Sequence, residues 1–324
     1  MLEKECVSGV DHFHFQVHTN GITYLNLYFT LGNLKEADIP YAILLSSLLR
    51  SLSTTKHSYT ELARLSNAYT GGMSFALNGY GKVNDTSSYL PALTIRAKAL
   101  TSKTDKLMDL LGEVINHTLF TDAKRLKELV LQEKSEWDMS AFSRGHTLVM
   151  TKGGEFAEQS GLSYYYFLAD LVKHFDENRE GLQEKLAAVS GKIFTRSGLF
   201  FETIGEEEEK KAVLENLPLL LDDMEAGVKT APHVYSFPPE SRNEAFLTSG
   251  KVQYVAKGGN FKSHGFAYTG ALRVMETILR YEYLWKKVRV LGGAYGAFTQ
   301  FLRDGTAILC SYRDPNLAQT IRAY

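Results

Sequence analysis

The stretch Arg289-Val290-Leu291-Gly292-Gly293-Ala294-Tyr295-Gly296 joins two periodicities in this chain of 324 residues. An apolar pattern with helical spacing runs up to Arg289, and alternation typical of a β-strand begins after the two glycines. Glycine commonly follows the end of a helix, because it adopts the left-handed conformation without strain. The stretch therefore predicts a helix, a glycine turn and a strand.

Two side chains of this stretch are candidates for chemistry. Arg289 falls in the last helical turn, where a cation complements the helix dipole, and Tyr295 follows the turn. Because Gly292 and Gly293 turn the chain between them, one guanidinium and one phenol could converge on a ligand. The spacing alone also fits an ordinary helix C-cap with a basic last turn, so both interpretations stay open at this level.

The first two thirds of the chain alternate between strand and helix patterns. Residues 10–31 predict a β-hairpin around the turn dipeptide Asn20-Gly21. A helix with Asp38 as N-cap and Pro40 in its first turn follows, and a capping box of Ser58 and Glu61 opens the next helix. The remaining predicted elements are strands at 73–81 and 90–100, helices through about 103–189, a strand at 192–205 and a helix at 207–224.

A second domain is predicted after a polar stretch with three prolines at 225–244, which has the composition of a linker. The order of elements then restarts: a strand at 246–257, the helix that ends near Arg289, and a hairpin at 298–312 around Asp304-Gly305. A further helix is expected to start at Asp314-Pro315.

The predicted domains are therefore 1–224 and 245–324. The second is expected to be a truncated copy of the first, because it has only about 80 residues and its last predicted helix reaches Tyr324 without a C-cap signal. Helices and strands that alternate without regular βαβ spacing favour an α+β fold, with a mainly antiparallel sheet covered by helices.

Composition argues against several classes of partner. The 36 basic and 37 acidic residues nearly cancel, so no nucleic-acid or membrane partner is indicated. Cys6 and Cys310 are far apart in the chain and fit a reducing compartment. Acidic residues occupy the N-terminus, where a targeting peptide would be basic and apolar, so we expect a cytoplasmic location, with an organelle matrix as the alternative.

The sequence offers no complete metal site. His12, His14 and His18 would share one face of a strand, but the outer two would lie about 20 Å apart, too far to share one zinc ion. No His-x-x-Glu-His motif and no paired cysteines occur. No catalytic nucleophile motif occurs either. Trp285 lies at a helical position among aliphatic neighbours, so it is expected in the core.

Four stretches carry a family resemblance: Val288–Gly296, Ser311-Tyr312-Arg313-Asp314-Pro315-Asn316, Thr19–Phe29 and Thr70–Ser74. In residues and in order they resemble the pitrilysin (insulinase) metallopeptidases, and in particular the branch of the presequence proteases and falcilysin. The resemblance implies two halves, each of two related α+β domains, that close around a chamber for unfolded peptides. This chain would be the third domain and the first part of the fourth, which is the half without zinc.

The resemblance also implies roles for individual residues. The helix equivalent to the zinc-binding one is 38–53 and has leucines at the ligand positions, so zinc is expected only in the missing N-terminal half. Arg289 and Tyr295 match an arginine and a tyrosine that reach the scissile bond, with Gly292 and Gly293 as the turn that positions them. Arg289 would donate to a substrate carbonyl, and Tyr295 to a carbonyl or to the oxyanion.

The implied function is the substrate-binding half of a zinc metalloendopeptidase that degrades short unstructured peptides and is inactive alone. Its partners would be the zinc-bearing half, in the same polypeptide or separate, and the peptides. The alternative is a non-catalytic structural or interaction subunit with the same fold, although such relatives tend to lose the arginine and tyrosine pair.

We expect the purified chain to contain no stoichiometric zinc and to cleave no unstructured peptide, because it lacks the ligand set. Metal analysis after dialysis and a fluorogenic peptide assay check this expectation. Zinc retained at one equivalent per chain would contradict it.

Overall fold

The computed structural model describes residues 2–82, 85–137, 152–231, 233–237, 243–247 and 251–324. They form two compact units, one from Met1–Asn78, Leu90–Ser135 and Phe167–His233, the other from Gly79–Tyr89, Glu136–Tyr166 and Val234–Tyr324. The three prolines of the expected linker, and positions 138–151 of the expected helical region, lie outside the described residues. The division into 1–224 and 245–324 stays a prediction.

The larger sheet has six strands: β1 (Leu2–Val7), β2 (Val10–Gln16), β3 (Ile22–Thr30), β4 (Met73–Lys82), β5 (Asp85–Leu100) and β6 (Leu199–Gly205). Their spatial order is β1-β2-β6-β3-β5-β4. β2 and β6 are parallel, whereas β1 with β2, β3 with β5 and β3 with β6 are antiparallel. The expected mainly antiparallel sheet of an α+β fold is confirmed.

The hairpin expected around Asn20-Gly21 is wrong. Both residues adopt positive φ angles, 53° and 73°, so the local turn forms as its sequence demands. However, β6 lies between β2 and β3, and β2 pairs instead with β1 across the turn at Ser8-Gly9. A turn dipeptide sets local backbone geometry, but it does not determine which strand becomes the neighbour.

Helices make up most of the chain between the strands of this sheet. They are α1 (Ile39–Leu48), α2 (Tyr59–Tyr69), α3 (Thr104–His117), α4 (Ala123–Glu136), α5 (Lys152–Glu158), α6 (Leu162–Lys173), α7 (Phe175–Ile193), α8 (Glu207–Glu215) and α9 (Pro218–Leu221). Along β3 buried side chains alternate with half-buried ones, as a sheet covered on one face requires. The capping box of Ser58 and Glu61 is confirmed at the start of α2.

Two element boundaries predicted between residues 192 and 224 are wrong. The strand expected from residue 192 begins at Leu199, because α7 continues to Ile193. The helix expected over 207–224 is broken between Glu215 and Pro218, since proline lacks the backbone donor that a continuous helix needs.

Asp38 lies at the start of α1, as expected, but its side chain makes no capping bond to the helix. The carboxylate is buried and contacts the ammonium groups of Lys185 and Lys192, the latter at 3.2 Å. Burial opposes ionisation, yet hydrogen bonds from Lys185, the Lys35 amide and Lys192 outweigh it, and the pKa of Asp38 is lowered. The residue therefore joins α1 to α7.

A buried polar chain lies beneath the β1–β2–β6 edge. His12 Nδ1 contacts Glu5 at 3.1 Å, and His12 Nε2 and His14 Nδ1 both contact the Thr203 hydroxyl at 2.8 Å. Because the carboxylate can only accept, His12 carries its proton on Nδ1, Thr203 donates to His12, and His14 donates to Thr203. His14 Nε2 is left as a buried acceptor without a partner among the described residues.

The smaller sheet contains β7 (Gln253–Asn260), β8 (Gly296–Phe301) and β9 (Thr306–Asp314), in the antiparallel order β7-β9-β8. Helix α10 (Ala271–Ile278) continues directly into a π-helical segment, Leu279–Val290, and α11 (Ala318–Ala323) follows β9. The strand expected at 246–257 instead spans Gln253–Asn260. Helix α11 begins at Ala318, after Asp314-Pro315 rather than at it. The hairpin around Asp304-Gly305 is confirmed.

The strand order of the smaller sheet repeats part of the larger one. β7, a helix, β8 and β9 follow the same sequence as β3, α1 and α2, β4 and β5, which are ordered β3-β5-β4 in space. None of the helices in the described part of the chain has the length and apolar content needed to cross a bilayer.

Stability should fall on acidification, because burial lowers the pKa of His12 below the ordinary 6.5 while Glu5 beside it only partly offsets this. Between the two pKa values the unfolded chain binds one more proton than the folded chain. The stability that buried His12 contributes is therefore present above about pH 6.5 and is lost as the pH falls through the pKa of His12 in the folded chain. One proton gives a slope of at most about 1.4 kcal/mol per pH unit.

Urea unfolding at about pH 7.5 and about pH 5.5 measures this slope. The variant His12→Gln should show a smaller difference between the two conditions, whereas the surface control His174→Gln should behave as the parent chain does. An unchanged slope in His12→Gln would contradict the assignment.

Candidate functional site

The helix that leads to the candidate site is held by a small apolar core. Leu284 and Val288 of the π-helical segment are buried together with Ala294, which follows the glycine turn. The amide of Leu291 donates to the carbonyl of Lys286 at 3.0 Å, five residues back, which is the π-helical spacing. The widened turn ends the helix with its last residue, Val290, and the following Leu291 exposed.

Both glycines of the turn are required by its geometry. Gly293 has a φ angle of 80°, the left-handed conformation, and its amide donates to the carbonyl of Arg289 at 2.9 Å. A Cβ atom at Gly292 would lie 2.5 Å from the carbonyl oxygen of Val288. Side chains are therefore excluded at the first position by space and disfavoured at the second by backbone strain.

Arg289 lies in the last turn of the helix, as expected. Its guanidinium carbon is 3.7 Å from the ring centroid of Trp285, one turn earlier, and the stacking holds the side chain against the helix. Among the described residues the guanidinium has no hydrogen-bond or ion-pair partner. Its N–H groups are free for a ligand.

Tyr295 directly precedes β8, the strand that follows the turn. Its amide donates to the carbonyls of Tyr312 and Arg313, at 3.2 and 3.3 Å, which fixes the residue to the end of β9. The side chain is 60% exposed, and its ring packs 5.5 Å from that of Tyr312. The hydroxyl group has no partner among the described residues.

One open cleft of about 610 Å³ contains both side chains. Its lining consists of Trp285, Arg289, Val290, Gly293, Ala294, Tyr295 and Arg313. The structure thus brings together the arginine and the tyrosine that the sequence singled out, and Gly293 of the turn between them. Their role stays a prediction.

Two members of the cleft were missed at the level of sequence. Trp285, expected in the core, is 44% exposed and supports Arg289; its position four residues earlier on the helix was an available signal. Arg313 lies far along the chain, and only the pairing of β8 with β9 places it next to Tyr295.

A hydrogen-bonded corner supports the turn from below. The side-chain amide of Asn316 donates to the carbonyl of Gly292, and the Asn316 backbone amide donates to buried Asp314 at 2.8 Å. The hydroxyls of Ser311 and Thr320 complete the shell of Asp314, at 2.5 and 2.8 Å. This corner ties the start of α11 to the end of the long helix.

The described residues do not fit a zinc ion. No group of three or more histidine, cysteine or acidic side chains among them could hold a metal. The two histidines of β2 are directed at the hydroxyl of Thr203, and His18 is exposed and bonded to Glu206 and Asn20. Leu44, Leu45 and Leu48 of α1 are buried in the core.

Alanine at Gly293 should destabilise the turn by about 1–2 kcal/mol, the cost of the left-handed conformation for a residue with a Cβ atom. Gly292→Ala should cost more, because the contact is with fixed backbone. Unfolding followed by Trp285 fluorescence, in a Trp137→Phe background, measures both. Gly259→Ala, where an added Cβ meets nothing within 4 Å, is the control. Equal stabilities of all three variants would contradict this account of the turn.

Family profiles match most of the chain. The profile for the associated domain of M16 peptidases, subfamily C, matches residues 1–171, and the one described as "PreP C-terminal domain" matches residues 243–324.

Two curated relatives align along nearly the whole chain. "Protein HypA" of Clostridium perfringens is 37% identical over 99% of this chain and 34% of its own length. "Presequence protease 1, chloroplastic/mitochondrial" of Arabidopsis thaliana is 29% identical over 98% of this chain and 30% of its own. The chain spans about a third of the length of these relatives.

Solved structures agree at the level of the fold. A conserved protein from Enterococcus faecalis superposes with a TM-score of 0.66 at 17% identity, over 99% of this chain and 78% of its own. A "peptidase M16 inactive domain" from Pseudomonas fluorescens gives 0.60 at 12% identity, over 96% and 74%. The chain belongs to the M16 family of metallopeptidases and corresponds to a C-terminal half of the presequence protease type.

Proposed function

We propose that this chain is the substrate-binding half of a peptide-degrading metalloendopeptidase, and that Arg289 and Tyr295 hold the substrate beside the scissile bond. The observation that carries the proposal is the shared cleft, in which a guanidinium and a phenol hydroxyl without hydrogen-bond partners among the described residues lie on either side of the glycine turn.

The chemistry of the two groups suits an extended peptide. An unfolded peptide presents carbonyl oxygens that lack hydrogen-bond partners, and both side chains are donors. The N–H groups of Arg289 remain available because, among the described residues, its guanidinium contacts the Trp285 ring and has no hydrogen-bond partner. Tyr295 offers one O–H, suited to the single oxygen that becomes negative when a peptide carbonyl is attacked.

The hydrolytic metal belongs, in this proposal, to an N-terminal half. The described residues of this chain do not fit a zinc ion, so the donors act on a substrate that the other half cleaves. The share of about a third of the relatives' length leaves room for such a half. The "first half of the periplasmic protease PqqL" from Escherichia coli also has this fold, with a TM-score of 0.56 at 14% identity. That this structure is a first half with the same fold supports a protease built of two halves of one fold.

The topological repeat within the chain points to the second sheet as the site. In the larger sheet the equivalent helix-to-strand turn is Gly71-Gly72, with Gly72 at a φ angle of 116°. Counting from the glycines, Ala68 and Ser74 occupy the positions of Arg289 and Tyr295. The turn is present in both repeats, but the two donors occur in one.

Addition of a zinc-bearing N-terminal half of a presequence protease should restore cleavage of an unstructured peptide. In that mixture Arg289→Ala and Tyr295→Phe should each lower kcat/KM by about 10²–10³, since each removes one donor to the reacting region. Steady-state kinetics on a fluorogenic peptide measure the effect.

Matched controls in the same unit are Arg303→Ala, on the exposed β8–β9 loop, and Tyr281→Phe, exposed on the π-helical segment outside the cleft lining. Both should leave kcat/KM within about twofold of the parent value. Restored cleavage that is equally fast in the Arg289→Ala and Tyr295→Phe variants as in the parent chain would refute the assigned roles.

A further inference from the structure

Arg313 occupies an unusual backbone position at the end of β9. Its φ angle is 48°, in the left-handed region that residues other than glycine rarely adopt. The register between β7 and β9 shifts at this point, so that one residue of β7, Tyr254, faces both Tyr312 and Arg313. The result is a β-bulge, which redirects a side chain away from the regular alternation of the strand.

The redirected side chain reaches the cleft. The guanidinium carbon of Arg313 lies 5.6 Å from the ring centroid of Tyr295, and the residue is exposed. Neither Arg313 nor Arg289 has a hydrogen-bond or ion-pair partner among the described residues. Within the described part of the chain, the lining of the cleft therefore carries two guanidinium groups and no carboxylate.

The nearest acid in sequence, Asp314, does not neutralise this charge. It is fully buried, and its oxygens accept from Ser311, Thr320 and the Asn316 amide. Neighbouring residues thus have opposite orientations: Asp314 points into the supporting corner, while Arg313 points into the cleft. The bulge separates the two charges.

We propose that Arg313 is a specificity-determining residue that binds a carboxylate of the peptide held by Arg289 and Tyr295. The inference rests on the proposed function, because it takes the ligand to be a peptide. A neutral backbone offers only carbonyl oxygens, and Arg289 and Tyr295 already donate to these. A second free guanidinium matches a carboxylate, which accepts two parallel N–H bonds in the geometry that arginine presents.

The carboxylate has two sources in a peptide, an acidic side chain and the free C-terminus. Both offer the same two-oxygen group, so the site itself does not distinguish them. The flanking aromatic rings of Tyr295 and Trp285 would cover the aliphatic part of either ligand.

The test is a titration of the isotopically labelled full chain, followed by NMR signals of the Arg313 Nε–H and the Trp285 indole. The probes are four N-acetylated pentapeptides: amidated alanine peptides with a central glutamate or glutamine, and pentaalanine with a free or an amidated C-terminus. At constant ionic strength, at least one carboxylate peptide should bind about tenfold more tightly than its neutral match. The pair that shows the difference identifies the source.

Arg313→Gln should remove this preference, so that each carboxylate peptide binds only as tightly as its neutral match. Continued shifts of the Trp285 indole signal by the neutral peptides show that the cleft is intact. Arg313→Lys should keep part of the preference, because it keeps the charge. Arg303→Gln, which removes an arginine outside the cleft, should keep all of it. The proposal is overturned if neutral and acidic peptides bind equally, if no peptide shifts either signal, or if Arg313→Gln retains the preference.

This outcome is independent of the kinetic test. A loss of the carboxylate preference in Arg313→Gln, together with restored cleavage that ignores Arg289, would keep the subsite and reject the catalytic support. The reverse pattern would keep the proposed function and reject the subsite.

Discussion

The close approach of Gly292 to the carbonyl oxygen of Val288 is the constraint on which the candidate site depends. A Cβ atom at position 292 would lie 2.5 Å from that oxygen, so only glycine fits there. With glycine at this position the helix can end directly against the next strand. Gly293 then reverses the chain in the left-handed conformation. With Ala294 buried behind the turn, Arg289 and Tyr295 are left on the open side.

The polar groups that hold elements of the fold together are different residues from the unpartnered donors in the cleft. Asp38 is paired with two lysines of α7. Hydrogen bonds link Glu5, His12, Thr203 and His14 in a chain, so both groups hold elements of the fold together. Asp314 does the same beneath the turn. The cleft, by contrast, contains free donors: Arg289, Arg313 and the phenol of Tyr295 have no hydrogen-bond partner in the described part of the chain.

The two sheets show how one topology can serve different purposes. Both contain a strand, helical segments and a hairpin in the same spatial order, and both use a double glycine before the hairpin. In the larger sheet α1 is buried on nearly every side and packs as part of a core. In the smaller sheet the π-helical segment is buried only at Leu284 and Val288. An exposed helix end can carry binding residues, whereas a fully packed helix contributes stability.

Sequence by itself determined the capping box of α2, the glycine turn between Arg289 and Tyr295, and the antiparallel α+β class, because each depends on local conformation, periodicity or a short motif. The role of the pair stays a prediction. Tertiary structure alone decided that β6 lies between β2 and β3. About 180 residues separate β2 from β6 in the chain, and which strands become neighbours depends on burial in the assembled sheet. It also decided that Arg313 belongs to the cleft, because a bulge in β9 turns that side chain toward Tyr295. A bulge arises from the register between paired strands, and register is a property of the assembled sheet rather than of any single stretch.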